Sequence, residues 1–325
     1  MFSVKQQKFM EMDELSLRKV PFFFMIDFQA ENIEIFRQEE LINSDLLIDF
    51  QNFSNTSHQP ALHKNIEWKS YPETLESFKK GFDKVQENIH LGNSYLTNYT
   101  RKTKIETNLT LREIFFHSGA KYKVFYKDFF VFFSPETFVK IIDGKILTYP
   151  MKGTIDAALE NAEETLKNDR KEKAEHYTVV DLLRNDLSMV ADDVKVDKFQ
   201  HIDFIRTRQK DLYAMSSEIS GNIKPEFNGK VGSIMQNLLP AGSILGAPKS
   251  KTMEIILDAE GYERGFYTGV CGWFDGENVD SCIMIRFIEK EGDTLYFKSG
   301  GGITHMSRPE DEYQEMKNKI YVPIY

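Results

Sequence analysis

VFFSPETFVKIIDGKILTYPMKGTI, residues Val131 to Ile155, is the stretch from which the fold is read. Asp143-Gly144 lies between two β-rich runs, Phe138 to Ile142 and Lys145 to Tyr149. Asp-Gly accepts the positive φ of a type I′ turn, so the spacing predicts a two-residue hairpin. Continued along the ladder, that register sets Glu136 opposite Met151 and beside Lys152. Pro135 and Pro150 interrupt regular pairing at the open end. A carboxyl group and an amine brought together there could serve as proton donor and nucleophile. Taken alone, the hairpin favours a plainer reading, a solvated ion pair on an edge strand.

Before this hairpin, residues 1–70 read as a β-rich scaffold, because PFFFMIDF, IEIF and LLIDF are short apolar runs separated by polar turns. The next segment has Leu75, Phe78, Phe82, Val85 and Ile89 at helical spacing, Pro72 near its start and Gly92 as its stop. GNSYLTNYT then reads as a strand. After the hairpin, residues 157–183 read as two helices that break near Asn168 to Arg170. A further helix is expected over Val231 to Leu239, and PAGSILGAPKSK is a glycine-rich loop opening another, with Pro248 in its first turn. Residues 266–299 alternate like strands around a second Asp-Gly, at 275–276. The chain closes on a glycine loop and a helix, with Ser307 and Glu310 spaced as a capping box. Helix-then-hairpin units without parallel crossovers predict an α+β fold of antiparallel sheets covered by helices. No low-contact linker is visible, so residues 1–325 are expected to form a single domain, with 72–325 as the catalytic core.

The 325 residues suffice for a substantial core, and 41% hydrophobic with 28% charged residues is ordinary for a soluble protein. A net charge of −9 argues against a general nucleic-acid binder, though not against an anionic substrate met by a metal or a few local cations. Cys271 and Cys282 fit neither a disulfide framework nor a zinc pattern, and a reducing cytoplasm is the expected location. There is no signal-peptide core, and the greasy run Pro21 to Ile26 is far too short to span a membrane.

Two helices carry acids three residues apart, Glu172 with Glu175 and Glu312 with Glu315. Converging carboxylates of this kind suit Mg²⁺, which keeps several waters and completes its shell with substrate oxygens. With 50 acidic residues in the chain, such pairs also arise on solvated helix faces. GSILGAPKS is not a nucleotide P-loop, since the spacing of its glycines and lysine is wrong. It could still offer free N–H groups to an anion, and Ser299 to Gly302 offers a similarly approachable backbone. Either could equally be a tight turn. His176 and His305 lack spaced partners for zinc. No nucleophile elbow is present, and no cysteine lies in the glycine context of a glutaminase.

Read together, several blocks resemble the chorismate-utilising enzymes, the family of anthranilate synthase component I, aminodeoxychorismate synthase component I and isochorismate synthase. They are SPETF at 134–138, PMKGT at 150–154, EHYTVVDLLRNDL at 175–187, PAGSILGAPKSKTMEII at 240–256, RGFYTGVCGW at 264–273, IMIRF at 283–287 and GGGITHMSRPEDEYQEMKNK at 300–319. Their order is the family's, and they cover roughly the last two thirds of the chain. The resemblance implies two orthogonally packed antiparallel sheets flanked by helices, in four layers. It also implies Mg²⁺ held by Glu175 and Glu315 with Glu172 and Glu312, and a chorismate site including Thr154, Tyr267, Arg286, Gly300, Gly301, Gly302 and Lys319. Lysine at 152, where anthranilate and isochorismate synthases carry alanine, resembles the aminodeoxychorismate synthase branch. Leu96 stands where water-using members carry a lysine base. Ala214 stands where anthranilate synthases tend to have a histidine, and Leu245 replaces a threonine usual in the family. The expected activity is conversion of chorismate and ammonia to 4-amino-4-deoxychorismate through a covalent intermediate on Lys152, with Glu136 as acid. Ammonia would come from a separate glutamine amidotransferase subunit or from free ammonium. The alternatives are an anthranilate synthase component I and a non-catalytic chorismate-binding paralogue.

Overall fold

The structure is a computed structural model that describes residues 3–56, 65–205 and 211–324. The chain opens with a helix, α1 (Val4–Leu17), and three strands, β1 (Phe22–Ile26), β2 (Ile33–Arg37) and β3 (Leu46–Phe50). After β4 (Trp68–Tyr71) come α2 (Leu75–His90), β5 (Leu96–Thr107) and α3 (Leu111–His117). Strands β6 (Tyr122–Tyr126), β7 (Phe130–Ser134), β8 (Thr137–Ile142), β9 (Lys145–Thr148) and β10 (Met151–Asp156) follow in succession. Helices α4 (Ala162–Asn168) and α5 (Arg170–Ser188) lead to the long strands β11 (Ala191–Ile205) and β12 (Leu212–Ile223). Next are α6 (Val231–Leu238), α7 (Gly242–Leu245), β13 (Gly246–Ala247) and α8 (Lys249–Glu260). The chain ends with β14 (Val270–Phe274), β15 (Val279–Ile283), β16 (Phe287–Glu291), β17 (Thr294–Ile303) and α9 (Pro309–Asn318). The strands pair in two antiparallel sheets with flanking helices, the expected α+β class. Among the described residues no helix is long and apolar enough to cross a membrane.

Contacts divide the chain into two compact units. One is built from Met1–Pro21, Thr137–Ser243 and Phe274–Ser281, the other from Phe22–Glu136, Ile244–Trp273 and Cys282–Tyr325. In the first unit β8 and β9 form the expected hairpin, Ile142 facing Lys145 across Asp143 and Gly144, both at positive φ. β9 pairs with β12, and β12 also carries β10 and β11. Asp169 separates α4 from α5 and caps the latter, its side chain accepting the Glu172 N–H at 3.0 Å.

The sequence gives no warning of α1. Its Phe9, Met12 and Leu15 are buried, and α1 packs on α6. Contact is close enough that a Cβ on Gly232 would lie 1.9 Å from the Phe9 carbonyl oxygen. Asp13 fixes the register by accepting the Ser233 N–H at 2.8 Å.

In the second unit one sheet runs β13-β5-β17-β16-β7-β6-β3, with β4 also on β5, and β14, β1 and β2 pair in that order. Alternation along β7 divides the interior, because successive side chains point to opposite faces. Val131 and Phe133 join the cluster made with α2, α3, α8 and α9, whereas Phe130 and Phe132 join Phe23, Met25 and Cys271 on the opposite face. Helix α2 begins on Thr74, whose hydroxyl accepts the Ser77 N–H at 3.2 Å, and Gly92 at φ 77° follows its end. The second Asp-Gly, which belongs to the first unit, does make a hairpin, displaced by one residue. Asp275 donates its N–H to the Asn278 carbonyl, and its carboxylate takes the N–H groups of Glu277 and Asn278.

Candidate active site

Lys152 lies on β10, and the route of that strand corrects the sequence reading. Pairing of β8 with β9 is regular through Lys140 and Leu147. Pro150 then has no N–H to extend a ladder, and its carbonyl accepts the Ser217 N–H at 3.0 Å. The chain parts from β8 but stays on β12, so Met151 faces Ser216, not Glu136, and Lys152 faces Met215. Glu136 is held separately. Its N–H donates to the Ser134 hydroxyl at 3.1 Å and its carbonyl accepts the Ile283 N–H at 3.1 Å. Thr154 takes its place in the register opposite Ala214.

Between Lys152 and Thr154 the register slips at Gly153, whose φ of 77° only glycine adopts without strain. This bulge admits α5. A Cβ on Gly153 would sit 2.9 Å from Glu172 Oε2 and 3.1 Å from Leu166 Cδ1. The Glu172 carboxylate is therefore seated against the lysine-bearing strand, while Glu175, one turn along, is half-buried. One turn from Glu172 on α5, His176 is fully buried, with Nε2 2.7 Å from Ser217 Oγ. Burial first, then the charges of His201 and Lys152, push the imidazole down to about 4, which keeps it neutral.

In the second unit the triple glycine pairs with β5, Gly300 with Thr100, Gly301 with Tyr99 and Gly302 with Asn98. Helix α9 lies over Gly301, where a Cβ would be 3.2 Å from Glu315 Oε1 and 3.3 Å from Glu312 Oε2. Lys319 returns from the end of α9, its Nζ donating to the Gly300 carbonyl at 2.7 Å and to Glu315 at 2.6 Å. The expected capping box does not form. Arg308 is the N-cap, Pro309 occupies the first turn, and the Ser307 hydroxyl donates to Glu312 at 2.8 Å. Serine here orients one of the acids expected to hold the metal.

Tyr267 is buried, and burial lifts its hydroxyl well above the ordinary tyrosine range against the opposing charges of Arg264 and Arg286. Arg286 has a positive φ of 54°, and its guanidinium lies 5.7 Å from the Tyr321 ring centre. The loop bearing Tyr267 is anchored by a buried pair absent from the sequence reading. Arg264 donates to both Glu260 oxygens, at 2.9 and 2.6 Å, to the Thr268 hydroxyl and to the carbonyls of Ile244 and Asn98. Thr100 satisfies the same carboxylate through its N–H and hydroxyl, each at 2.8 Å. The spacing of Glu260 and Arg264, one helical turn, was visible in the sequence, but their burial was not.

Among the described residues no three acidic, histidine or cysteine side chains cluster closely enough to hold an ion. Glu172 lies against Gly153, and Glu312 and Glu315 lie against Gly301, each glycine having no Cβ in the way. Such hard oxygen donors fit Mg²⁺ in kind. Leu96, Ala214 and Leu245 are all buried apolar groups.

Residues 12–324 match the family model described as chorismate binding enzyme. An uncharacterised PabA-like protein of Pasteurella multocida is 46% identical over 308 residues, spanning 94% of this chain and 95% of that protein. One of Haemophilus influenzae is 45% identical over 307 residues, spanning 94% and 93%. Among solved structures, a Bacillus anthracis protein described as a 2,3-dihydroxybenzoate-specific isochorismate synthase shares the fold. Its TM-score is 0.73 at 21% identity, covering 98% of this chain and 87% of that one. With almost its whole length matched and PMKGT set on a glycine-bulged strand against the helix that bears Glu172, the chain belongs to the chorismate binding enzyme family.

Proposed function

We propose that the protein is the chorismate-binding component of an aminodeoxychorismate synthase, converting chorismate and ammonia to 4-amino-4-deoxychorismate in the cytoplasm. The observation that carries this reading is Lys152. A primary amine stands half-buried on the family's PMKGT strand, beside a bulge that seats Glu172. An amine in that place can form a covalent bond to the ring, which an alanine cannot. In the proposed reaction the free amine of Lys152 attacks C2 of chorismate, the ring double bonds shift, and the C4 hydroxyl departs as water with a proton from Glu136. Ammonia then attacks C4, the double bonds shift back, and the C2–N bond to Lys152 breaks, returning the electron pair to the amine.

Glu172 and Glu175 of α5, with Glu312 and Glu315 of α9, are the residues proposed to hold Mg²⁺. The ion, when bound, supplies positive charge for the ring carboxylate. Arg286, Lys319, Tyr267 and the amides of Gly301 and Gly302 are assigned to the enolpyruvyl carboxylate, with Gly300 and Thr154 completing the substrate contacts. A guanidinium suits that task because it can pair with a carboxylate bidentately. Ammonia is assigned to a separate glutamine amidotransferase subunit, with free ammonium as substitute in vitro.

The test is product analysis with chorismate, Mg²⁺ and ammonium, together with intact mass measurement without ammonium. The expected results are aminodeoxychorismate and a protein heavier by one chorismate less one water. Lys152→Ala gives neither. Anthranilate with pyruvate as products would assign the chain to the anthranilate branch, and binding without turnover would make it a non-catalytic relative.

A further inference from the structure

His176 has no role in the reaction just described, yet it is wholly buried in the first unit beside the strand that carries the lysine. Its Nε2 is 2.7 Å from Ser217 Oγ, while its Nδ1 is equally buried and has no hydrogen-bond partner among the described residues. Buried polar atoms in native proteins nearly always find a partner, so an open nitrogen calls for one. The register shows which group shares its space. Lys152 faces Met215 across β10 and β12, and Ser217, two residues beyond Met215, points to the same face. Helix α5 covers that face, setting Glu172 on Gly153 and His176 on Ser217 one turn apart. The lysine charge reaches the imidazole, where it is one of the causes that disfavour protonation.

Ser217 Oγ already accepts the Gln200 N–H at 3.0 Å, and its second lone pair is free for an N–H from His176 Nε2. A neutral imidazole protonated at Nε2 carries its lone pair on Nδ1, the open atom. We infer that His176 is a positioning residue for the nucleophile, its Nδ1 accepting an N–H of Lys152 so that the amine's own lone pair is turned outward for attack. The inference rests on the proposed role of Lys152 for its purpose, but not for its geometry. The contact exists or fails whatever the reaction is. Ser217 and Gln200 hold the ring, and the ring holds the amine.

Two measurements test it. In protein labelled with ¹⁵N-histidine, His176 is expected to show a protonated Nε2 and a lone-pair Nδ1 whose resonance carries the shift of an accepted hydrogen bond. Lys152→Met should move the Nδ1 resonance to the position of an unbonded lone pair. A proton on Nδ1, or a resonance indifferent to Lys152→Met, overturns the inference without touching the proposed reaction. The second measurement compares two variants in adduct formation at fixed pH. His176→Asn keeps an acceptor near the Nδ1 position, whereas His176→Gln keeps a donor near Nε2 and the Ser217 contact. If His176 positions the amine, the Gln variant remains folded, binds chorismate as before and forms adduct about a hundredfold more slowly, the scale for a misplaced reacting atom. The Asn variant retains more of the rate. If Gln equals wild type while Asn fails, the histidine only anchors α5 and the inference is wrong. Failure of wild type to form any adduct, with the Nδ1 resonance as expected, instead overturns the proposed reaction and leaves the contact standing.

Discussion

Replacing Gly153 by alanine probes the point where the strand of Lys152 and the helix of Glu172 meet. The backbone there has φ 77°, a conformation that costs an L-residue about 1–2 kcal/mol. The new methyl carbon would stand 2.9 Å from Glu172 Oε2, 3.1 Å from Leu166 Cδ1 and 3.3 Å from Glu172 Cβ. A carboxylate tip can swing away, but Leu166 and the Glu172 Cβ belong to packed helices. Overpacking of this kind costs about 1–3 kcal/mol. Against these stands a gain of about 0.4–1 kcal/mol from the stiffer unfolded chain. The net expectation is a loss of about 1–5 kcal/mol in urea unfolding at unchanged m-value. Gly301→Ala is the control. No positive φ is found at 301, and its Cβ would meet Glu315 and Glu312 at 3.2 and 3.3 Å, so its stability should stay within about 1 kcal/mol of wild type. Both variants push an acid aside, and both should raise the Mg²⁺ concentration needed for half-maximal activity by about 10–100-fold, the range for disturbed metal-site support. A Gly153→Ala protein as stable as wild type would refute the bulge. Unchanged Mg²⁺ dependence in both variants would remove these acids from the metal site.

Other expectations follow from groups whose surroundings are fixed on every side. Arg264→Met leaves the Glu260 carboxylate buried with only the Thr100 contacts, and should cost about 3–5 kcal/mol in chemical denaturation. A loss under about 1 kcal/mol would mean that the pair is solvated. His176, held down to about 4, is unprotonated in the folded protein until well below the pH at which the unfolded chain, near 6.5, takes up its proton. Stability should therefore be unaffected by this group above pH 6.5 and fall as pH drops from there through 4, by about 3 kcal/mol in all. His176→Gln should flatten that part of the profile, and an unaltered slope would contradict the burial. Gly232→Ala forces a methyl group onto the Phe9 carbonyl and should separate α1 from α6, visible as faster amide exchange across Phe9 to Leu15. Unchanged exchange would show that the helix contact is loose.

The elements legible in the sequence are those whose causes are local. Asp143-Gly144 dictated its own turn, and the pairing of Ile142 with Lys145 followed. The stripe Phe78, Phe82, Val85 and Ile89 needed only helical periodicity, and the break at Asp169 needed only a capping side chain. Helix α1 was missed because its charges are spread around all sides, and its buried Phe9, Met12 and Leu15 find their partner in α6, more than two hundred residues away. The Ser307-x-x-Glu310 spacing failed for a different local reason. Proline at 309 sets the first turn, and the serine is engaged by Glu312.

The same division runs through the site. Residue types at Lys152, Glu172, Glu175, Glu312 and Glu315 were readable as spaced motifs, but their placement depends on pairings that no local pattern contains. Extending the hairpin register past Leu147 led to Met151 opposite Glu136. The chain instead leaves β8 and keeps β12, the strand that already flanks β9 and that, from more than sixty residues downstream, offers the Pro150 carbonyl an N–H. The loss of β8 leaves β12 to supply the neighbours of Lys152. Had the ladder continued, its face would have been shared with β8. On β12 it is shared with Met215 and Ser217, and through Ser217 with a histidine that the sequence reading set aside for want of a second zinc ligand. A residue to which its sequence block gives no role is thus found from the backbone that surrounds it, since what marks His176 is one nitrogen satisfied at 2.7 Å and the other left open among the described residues.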